Sequence, residues 1–329
     1  MKAVLIPELT GPTAARVEEV PEPEGAHHRA EGRRVLVDVH AVGLSFIDPL
    51  QTRGKYQSGL EAPYIAGSEL AGVVLEAPQD SPLRTGDRVA GIVWQGALAE
   101  RALAIEDYLV RIPESMDYVQ AAGVYMNYST GWYALESSRV QPGGTVLVTG
   151  AAGGVGTAVL DIARAQGIST IALVSTDEKE RVARASGATH VVRSTGAWLD
   201  EVKSLTDGRG VQGFIDMVGG DGFLDTVRAL AIGGTGVVVG FAGGSIPEIK
   251  VNRLLLRNLT LTGIAMDVME KEHPGTLDRV RRGVQDLLDA GRLSPAVEDT
   301  YPMADTARAF ASLENRTAVG KVVVTVKES

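Results

Sequence analysis

Over roughly the first 120 residues, apolar positions come in short runs or alternate with polar ones, and turn residues cut them off. Residues 2–6, 34–42, 72–75, 87–93 and 97–103 have the composition and period of strands. Gly11-Pro12, the Pro- and Gly-containing stretch 21–25 and Gly86-Asp87 supply the turns, so this part predicts an antiparallel, barrel-like unit. Near residue 120 the pattern changes. Residues 119–135 read as mainly helical, and strand-type runs at 146–148, 170–174, 190–192, 213–217 and 236–240 then alternate with helical stretches at 157–165, 178–187, 198–206 and 222–231. That alternation predicts a doubly wound parallel sheet. Residues 260–263 begin a last strand, 277–290 form a helix, and the tail (303–313, then 320–326) is helix plus strand that returns to the first unit.

The segment that organises the second half is Val146-Leu147-Val148 followed by Gly150-Ala151-Ala152-Gly153-Gly154-Val155-Gly156. A short apolar β-branched run is what a strand buried on both faces requires. From Thr157, apolar residues at 159, 160, 162, 163 and 165 keep helical spacing, and Gly167 is a helix stop. Strand, glycine turn and helix N-terminus together form a site for a pyrophosphate, because backbone N–H groups and the positive end of the helix dipole meet the anion. Glycine turns without ligands are common; the flanking strand and helix, and a second strand at the right distance, are the context that turns the motif into a dinucleotide site.

With 329 residues, the chain is long enough for two domains with substantial cores. The formal net charge is −9 and no basic patch stands out, which gives no electrostatic case for nucleic acid or an anionic membrane surface. Cysteine is absent, which removes disulfides, thiolate nucleophiles and Cys-based zinc sites together. The apolar run at the N-terminus stops at Pro7-Glu8 and reads as a strand, not a targeting segment, and no stretch has the length of a membrane span. A cytoplasmic location is expected. His27 and His28 lie in a polar stretch that reads as a solvated loop.

Several motifs agree in order and spacing: Gly43-Leu44-Ser45-Phe46-Ile47-Asp48, Arg53-Gly54-Lys55-Tyr56, Gly67-Ser68-Glu69-Leu70-Ala71-Gly72, Gly86-Asp87-Arg88-Val89, Ala152 to Gly156, and Gly320-Lys321-Val322-Val323. In concert they resemble the zinc-free quinone oxidoreductase branch of the medium-chain dehydrogenase/reductase superfamily, over essentially the whole chain. The resemblance implies an α/β protein with a GroES-like β-barrel catalytic domain, residues 1–122 completed by 265–329, and a Rossmann cofactor domain, residues 123–264, with the active site in a cleft between them. In zinc-dependent relatives a metal-binding Cys stands at the position of Ser45 and a His at that of Ser68. A neutral hydroxyl is a poor substitute for either, and Trp94-Gln95-Gly96-Ala97 leaves no room for the relatives' four-Cys lobe. No metal is expected. Glu69, left without those ligands, reads as a buried carboxylate bonded to backbone or to an arginine.

The resemblance also implies a cofactor set: Thr130, Gly150, Ala152, Gly153, Gly154, Val155, Ser175, Lys179, Arg193, Ser194, Val218, Phe241, Ala242 and Gly243, with Asn315 or Arg316 toward the nicotinamide. NAD-binding units carry an acidic residue about twenty positions past the turn. Here Ser175 stands there, uncharged, and Lys179 matches the phosphate-binding lysine of NADP-dependent members, so NADPH is the expected cofactor. Asp177 and Glu178 share that loop and are expected at a helix start, where the dipole stabilises them.

For the chemistry, hydride transfer to a quinone or enone puts negative charge on an oxygen that must be stabilised or protonated. Tyr56 is the first candidate donor, from its counterpart in related enoyl reductases; its structural alternative is packing alone. Ser45 replaces an Asn usual in the family, and Asn127 is the candidate to supply an amide instead. Asp48 reads as a structural cap. The leading function is an NADPH-dependent, metal-free quinone reductase acting on a small molecule. The alternatives are a reductase of activated C=C bonds in enones, alkenals or enoyl thioesters, for which Arg53 and Lys55 would offer a basic rim, and a non-catalytic NADPH-binding protein. A homodimer through the Rossmann domain is expected by the same resemblance, with 260–264 as the pairing stretch.

Overall fold

The computed structural model describes residues 1–23, 33–56, 60–315 and 317–327. The chain divides into two compact units. Unit 1 takes Met1–Met126, Leu288–Gly291 and Pro295–Ser329; unit 2 takes Asn127–Leu287 and Arg292–Ser294.

Unit 1 is built on two sheets. Lys2–Ile6 pairs antiparallel with Arg16–Glu19 on one side and Tyr64–Ile65 on the other. The larger sheet runs Val297–Pro302, Lys321–Thr325, Arg34–Leu44, Glu69–Glu76, Arg88–Ile92 and Leu109–Arg111, with Arg101–Ile105 pairing Arg34–Leu44. All these pairings are antiparallel except that of Val297–Pro302 with Lys321–Thr325. Alternate residues of Arg34–Leu44 (Val35, Val37, Val39) point into a core with Val4, Ile6, Leu70, Leu98, Phe310, Val322 and Val324. Ala97 to Ala99 adds only a bridge to Ala3, so the strand expected at 97–103 is displaced to Arg101–Ile105.

Unit 2 carries one six-stranded sheet, all parallel, in the order His190–Arg193, Ser169–Val174, Thr145–Thr149, Val211–Asp216, Leu230–Val238, Thr260–Gly263. In chain order this is 3-2-1-4-5-6, the doubly wound arrangement. The order reverses between Thr145–Thr149 and Val211–Asp216, and ligands of open α/β sheets sit at the carboxyl ends of strands at such a switch point. The expected helix over 119–135 is two, Tyr118–Ala121 and Tyr125–Ser138.

Residues 265–287 fall in unit 2 instead of completing unit 1. The helix Thr276–Asp289 buries Val280 and Val284, and Gly283 lies so close to Trp132 that a Cβ there would stand 2.4 Å from the indole. Arg279 of the same helix pairs with Glu136 and lies over the Trp132 ring.

Candidate functional site

In unit 2, the strand Thr145–Thr149 ends at Gly150, whose φ of 60° favours glycine, and the helix Gly154–Gln166 follows. Gly153 is the N-cap and offers no side-chain cap bond, so the first-turn N–H groups have no acceptor in the helix or from a cap. A Cβ on Gly156 would stand 2.3 Å from Gly150 O and 2.7 Å from Ala151 Cα, so the turn closes only with glycine at this position. At Gly153 the nearest atom would be 3.4 Å away, an ordinary contact. Ala152 is buried, while Gly153, Gly154 and Val155 are half-buried.

Two further loops and one helix meet this turn. Val218 Cγ2 would touch a Cβ on Gly150 at 3.3 Å. Gly243 donates to Val218 O at 2.8 Å and Ala242 to Met217 O at 2.9 Å, which brings Phe241-Ala242-Gly243 beside Val218. Asp216, which sequence reasoning did not single out, sets the first loop. Its buried carboxylate accepts from Gly219 N at 2.9 Å, from Val218 N at 3.3 Å and from the Thr149 hydroxyl. A lone Asp closing the apolar strand Val211–Asp216 was the available signal. The Asn127 amide lies against the start of the fingerprint helix, where a Cβ on Gly154 would stand 2.6 Å from Nδ2. The helix Tyr125–Ser138, which carries Asn127 and the half-buried Thr130, is held there by Tyr128, whose hydroxyl donates to Asp161 at 2.8 Å. Burial, with the Asp161 charge, pushes the Tyr128 phenol well up, so it stays the donor. Gly131 lets this helix approach Val159 and Ile162.

The next strand, Ser169–Val174, leads to Ser175 and to the helix Asp177–Ala185. Lys179 Nζ donates to Ser175 Oγ at 3.4 Å, so the two residues expected at a 2′-phosphate stand together. Asp177 and Glu178 open the helix behind the N-cap Thr176, as expected. The Arg193 guanidinium is engaged by Asp177 and by Glu180 at 2.9 Å. Ser194 donates through its backbone to Val174 O at 2.8 Å.

In unit 1, Asp48 is buried and takes both serines. Oδ2 accepts from Ser45 N at 2.7 Å and from Ser45 Oγ at 3.3 Å, and Oδ1 accepts from Ser68 Oγ at 3.3 Å. Burial pushes the Asp48 carboxyl up; the Ser45 N–H and the Lys321 charge oppose that. Glu69 accepts from Met126 N at 2.8 Å and from Lys321 Nζ, so its cationic partner is a lysine and not an arginine. Burial pushes Glu69 up as well, against the pull of Lys321. The oxygens that would face a zinc ion are thus committed to protein partners, and this donor set does not fit the metal. Among the described residues no cluster of His, Cys, Asp and Glu could hold one. Tyr56 is half-buried just past the helix Ile47–Thr52. Arg53 is taken by Glu314, at 2.5 and 2.9 Å, which removes it from a basic rim. Asn315 caps the end of Thr306–Glu314 and is exposed. Arg316, His27 and His28 lie outside the described residues.

The glycine turn fits a dinucleotide: an uncapped helix start, a closest approach that only glycine allows, and two loops at the carboxyl ends of the flanking strands.

Comparison with known proteins agrees with this division. Residues 31–114 match the family "Alcohol dehydrogenase GroES-like domain" and residues 154–282 match "Zinc-binding dehydrogenase". The quinone oxidoreductase-like protein 2 of Bos taurus is 36% identical, over 99% of this chain and 93% of its own length. The quinone oxidoreductase of Homo sapiens is 30% identical over 98% and 97%. A mycobacterial protein solved in complex with NADPH superposes with a TM-score of 0.84, at 31% identity, over 99% of each chain. The chain belongs to the medium-chain dehydrogenase/reductase superfamily of oxidoreductases, in its quinone oxidoreductase-like branch.

Proposed function

We propose that the chain is an NADPH-dependent, metal-free reductase that transfers hydride to a quinone. The observation that carries this reading is that Asn127 lies at the uncapped start of Gly154–Gln166 and Val218, with Gly243 beside it, lies at Gly150, while Lys179 and Ser175 are paired past the next strand. The first-turn amides of that helix bind the pyrophosphate, and the Lys179 ammonium takes the 2′-phosphate. Arg193 tempers the Asp177 and Glu180 carboxylates beside that phosphate. Thr130, Val218 and Phe241-Ala242-Gly243 bind along the cofactor, and Asn315 and Arg316 serve its nicotinamide end. The reduced nicotinamide supplies the hydride when bound.

Tyr56, Ser45 and Asn127 are the groups assigned to the acceptor oxygen, with Tyr56 required as a proton donor only where water does not protonate the product. The Tyr56 phenol is a neutral donor, the Ser45 hydroxyl donates there only by turning away from Asp48 Oδ2, and the Asn127 amide orients what lies at the helix start. The names of the relatives and the NADPH of the mycobacterial structure support this reading. The protein works as a cytoplasmic homodimer through unit 2. There the edge strand Thr260–Gly263 is paired on one side, and Val251, Leu255 and Leu256 are each more than 70% exposed nearby in the chain. No helix among the described residues is long and apolar enough to cross a membrane.

The test follows NADPH consumption by metal-free protein, with 1,4-naphthoquinone and a 2-alkenal offered separately. Quinone turnover insensitive to chelator is expected. Alkenal turnover alone would make the protein a C=C reductase, and tight NADPH binding with no turnover would make it a binding protein.

A further inference from the structure

Trp94 stands at a φ of 64°, where a bulky side chain is a true outlier. The Gln95 N–H donates back to Val93 O at 2.8 Å, the hydrogen bond of a γ-turn, and a positive central φ marks its rare, strained hand. The turn is tied to one neighbouring segment on both sides. Val93 N donates to Ser68 O at 2.9 Å, Gly96 N to Ile65 O at 3.0 Å and Ala97 N to Gly67 O at 3.0 Å. The strained residues therefore sit on the stretch that carries Ser68 and Glu69.

The same turn holds two unmet polar groups. Among the described residues, Trp94 Nε1 and Gln95 Oε1 are both buried without a hydrogen-bond partner. One is a donor, the other an acceptor, and they belong to adjacent residues. Each unmet group costs free energy in the resting fold, and so does the backbone strain. Glycine at 94 would relieve the backbone and an apolar residue at 95 would remove one orphan, yet the chain has neither. A local conflict of this kind marks a place where another requirement outweighs stability.

We propose that the Trp94–Gln95 turn recognises the planar carbonyl acceptor, with Trp94 Nε1 donating to a quinone carbonyl oxygen. Gln95 Oε1 accepts from the hydroxyl which that carbonyl becomes on reduction. A donor and an acceptor on adjacent residues suit both partners of the reaction, because the quinone oxygen only accepts and the hydroquinone hydroxyl also donates. Relaxation of the strained turn exposes the two atoms to the ligand. The Tyr108 ring, edge-on to Trp94 at 6.1 Å between centroids, gives the indole a fixed wall. This inference rests on the quinone reading.

The chain has three tryptophans, so the ¹⁵N-labelled protein gives three indole N–H signals, and the one lost in Trp94→Phe is that of Trp94. The protein is titrated with 1,4-naphthoquinone without NADPH, so that no reduction occurs. The Trp94 signal is expected to move downfield while those of Trp132 and Trp198 stay. Trp94→Phe is expected to raise the KM for naphthoquinone about tenfold with the KM for NADPH unchanged. Gln95→Met is expected to raise both that KM and the melting temperature, which a merely structural glutamine would not do. A Trp94 signal that stays in place at quinone concentrations that saturate turnover overturns the inference and leaves the function standing. A shift without any turnover keeps the quinone site and removes the reductase.

Discussion

The Lys321 ammonium donates to the Glu69 carboxylate inside unit 1, with 3% and 0% of the two side chains exposed. The lysine comes from the Gly320-Lys321 motif near the chain's end, and the glutamate from the motif that holds zinc ligands in other branches of the superfamily. The other Glu69 oxygen accepts from Met126 N at the start of the helix Tyr125–Ser138. One ion pair thus joins the last strand, Lys321–Thr325, to the strand Glu69–Glu76 within unit 1. Breaking a buried pair by removing one partner leaves an uncompensated charge and costs about 3–5 kcal/mol. Lys321→Met is expected to lose stability of that order in denaturant unfolding, and Lys321→Met combined with Glu69→Gln to lose less than the single variant.

The buried carboxyls also fix a pH dependence. Burial raises Asp48 from an ordinary value of 3.8 and Glu69 from 4.5. Each therefore keeps its proton in the folded protein at a pH where the unfolded chain has released it. The folded state binds more protons there, so stability falls as pH rises from the ordinary carboxylate values through the raised ones. Asp48→Asn removes one of the two contributions and is expected to give a flatter profile of unfolding free energy against pH. Parallel profiles for the two proteins would contradict the assignment.

Tyr56 separates the two acceptor classes. Hydride addition to an alkenal leaves an enolate whose protonation a positioned donor speeds, whereas water readily protonates the hydroquinone anion left by a quinone. Tyr56→Phe is expected to lower kcat for an alkenal by ten- to a hundredfold, in the range of a general acid, and to change kcat for a quinone by less than about threefold. Equal losses on both would make Tyr56 a packing residue or a shared binding group.

The exposed leucines test the assembly. Leu255 and Leu256 are 77% and 75% exposed in the single chain. Leu255→Lys with Leu256→Lys is expected to shift the protein from dimer to monomer in sedimentation, with NADPH binding retained. A wild-type protein that sediments as a monomer would remove this interface.

The parallel sheet was legible because strands buried on both faces are continuous apolar runs, as in Thr145–Thr149 and Ser169–Val174. Arg16–Glu19 was not, since all four side chains are exposed and only pairing with Lys2–Ile6 holds it extended. Val297–Pro302 was missed for a related reason: its Glu298, Asp299 and Pro302 argue against a strand, and its pairing partner lies beyond an intervening helix, in Lys321–Thr325. At the site, the glycines were legible because a spacing encodes a backbone path. The lysine partner of Glu69 was not, because a hydrogen bond across 252 residues leaves no local pattern. Trp94 was visible only as a length constraint, since a sequence does not show a positive φ at a tryptophan.

The central claim is that the turn after Thr145–Thr149 and the Ser175–Lys179 pair bind NADPH. The most direct measurement is the equilibrium titration of NADPH and NADH into wild type, Gly153→Ala and Lys179→Ala. A Cβ at Gly153 meets the protein only at 3.4 Å, so Gly153→Ala is expected to fold normally and to weaken both cofactors at least tenfold by blocking the anion's approach to the helix start. Lys179→Ala is expected to weaken NADPH about ten- to a hundredfold and to leave NADH unchanged. Equal affinity of wild type for the two cofactors, or NADPH binding indifferent to both substitutions, would contradict the account.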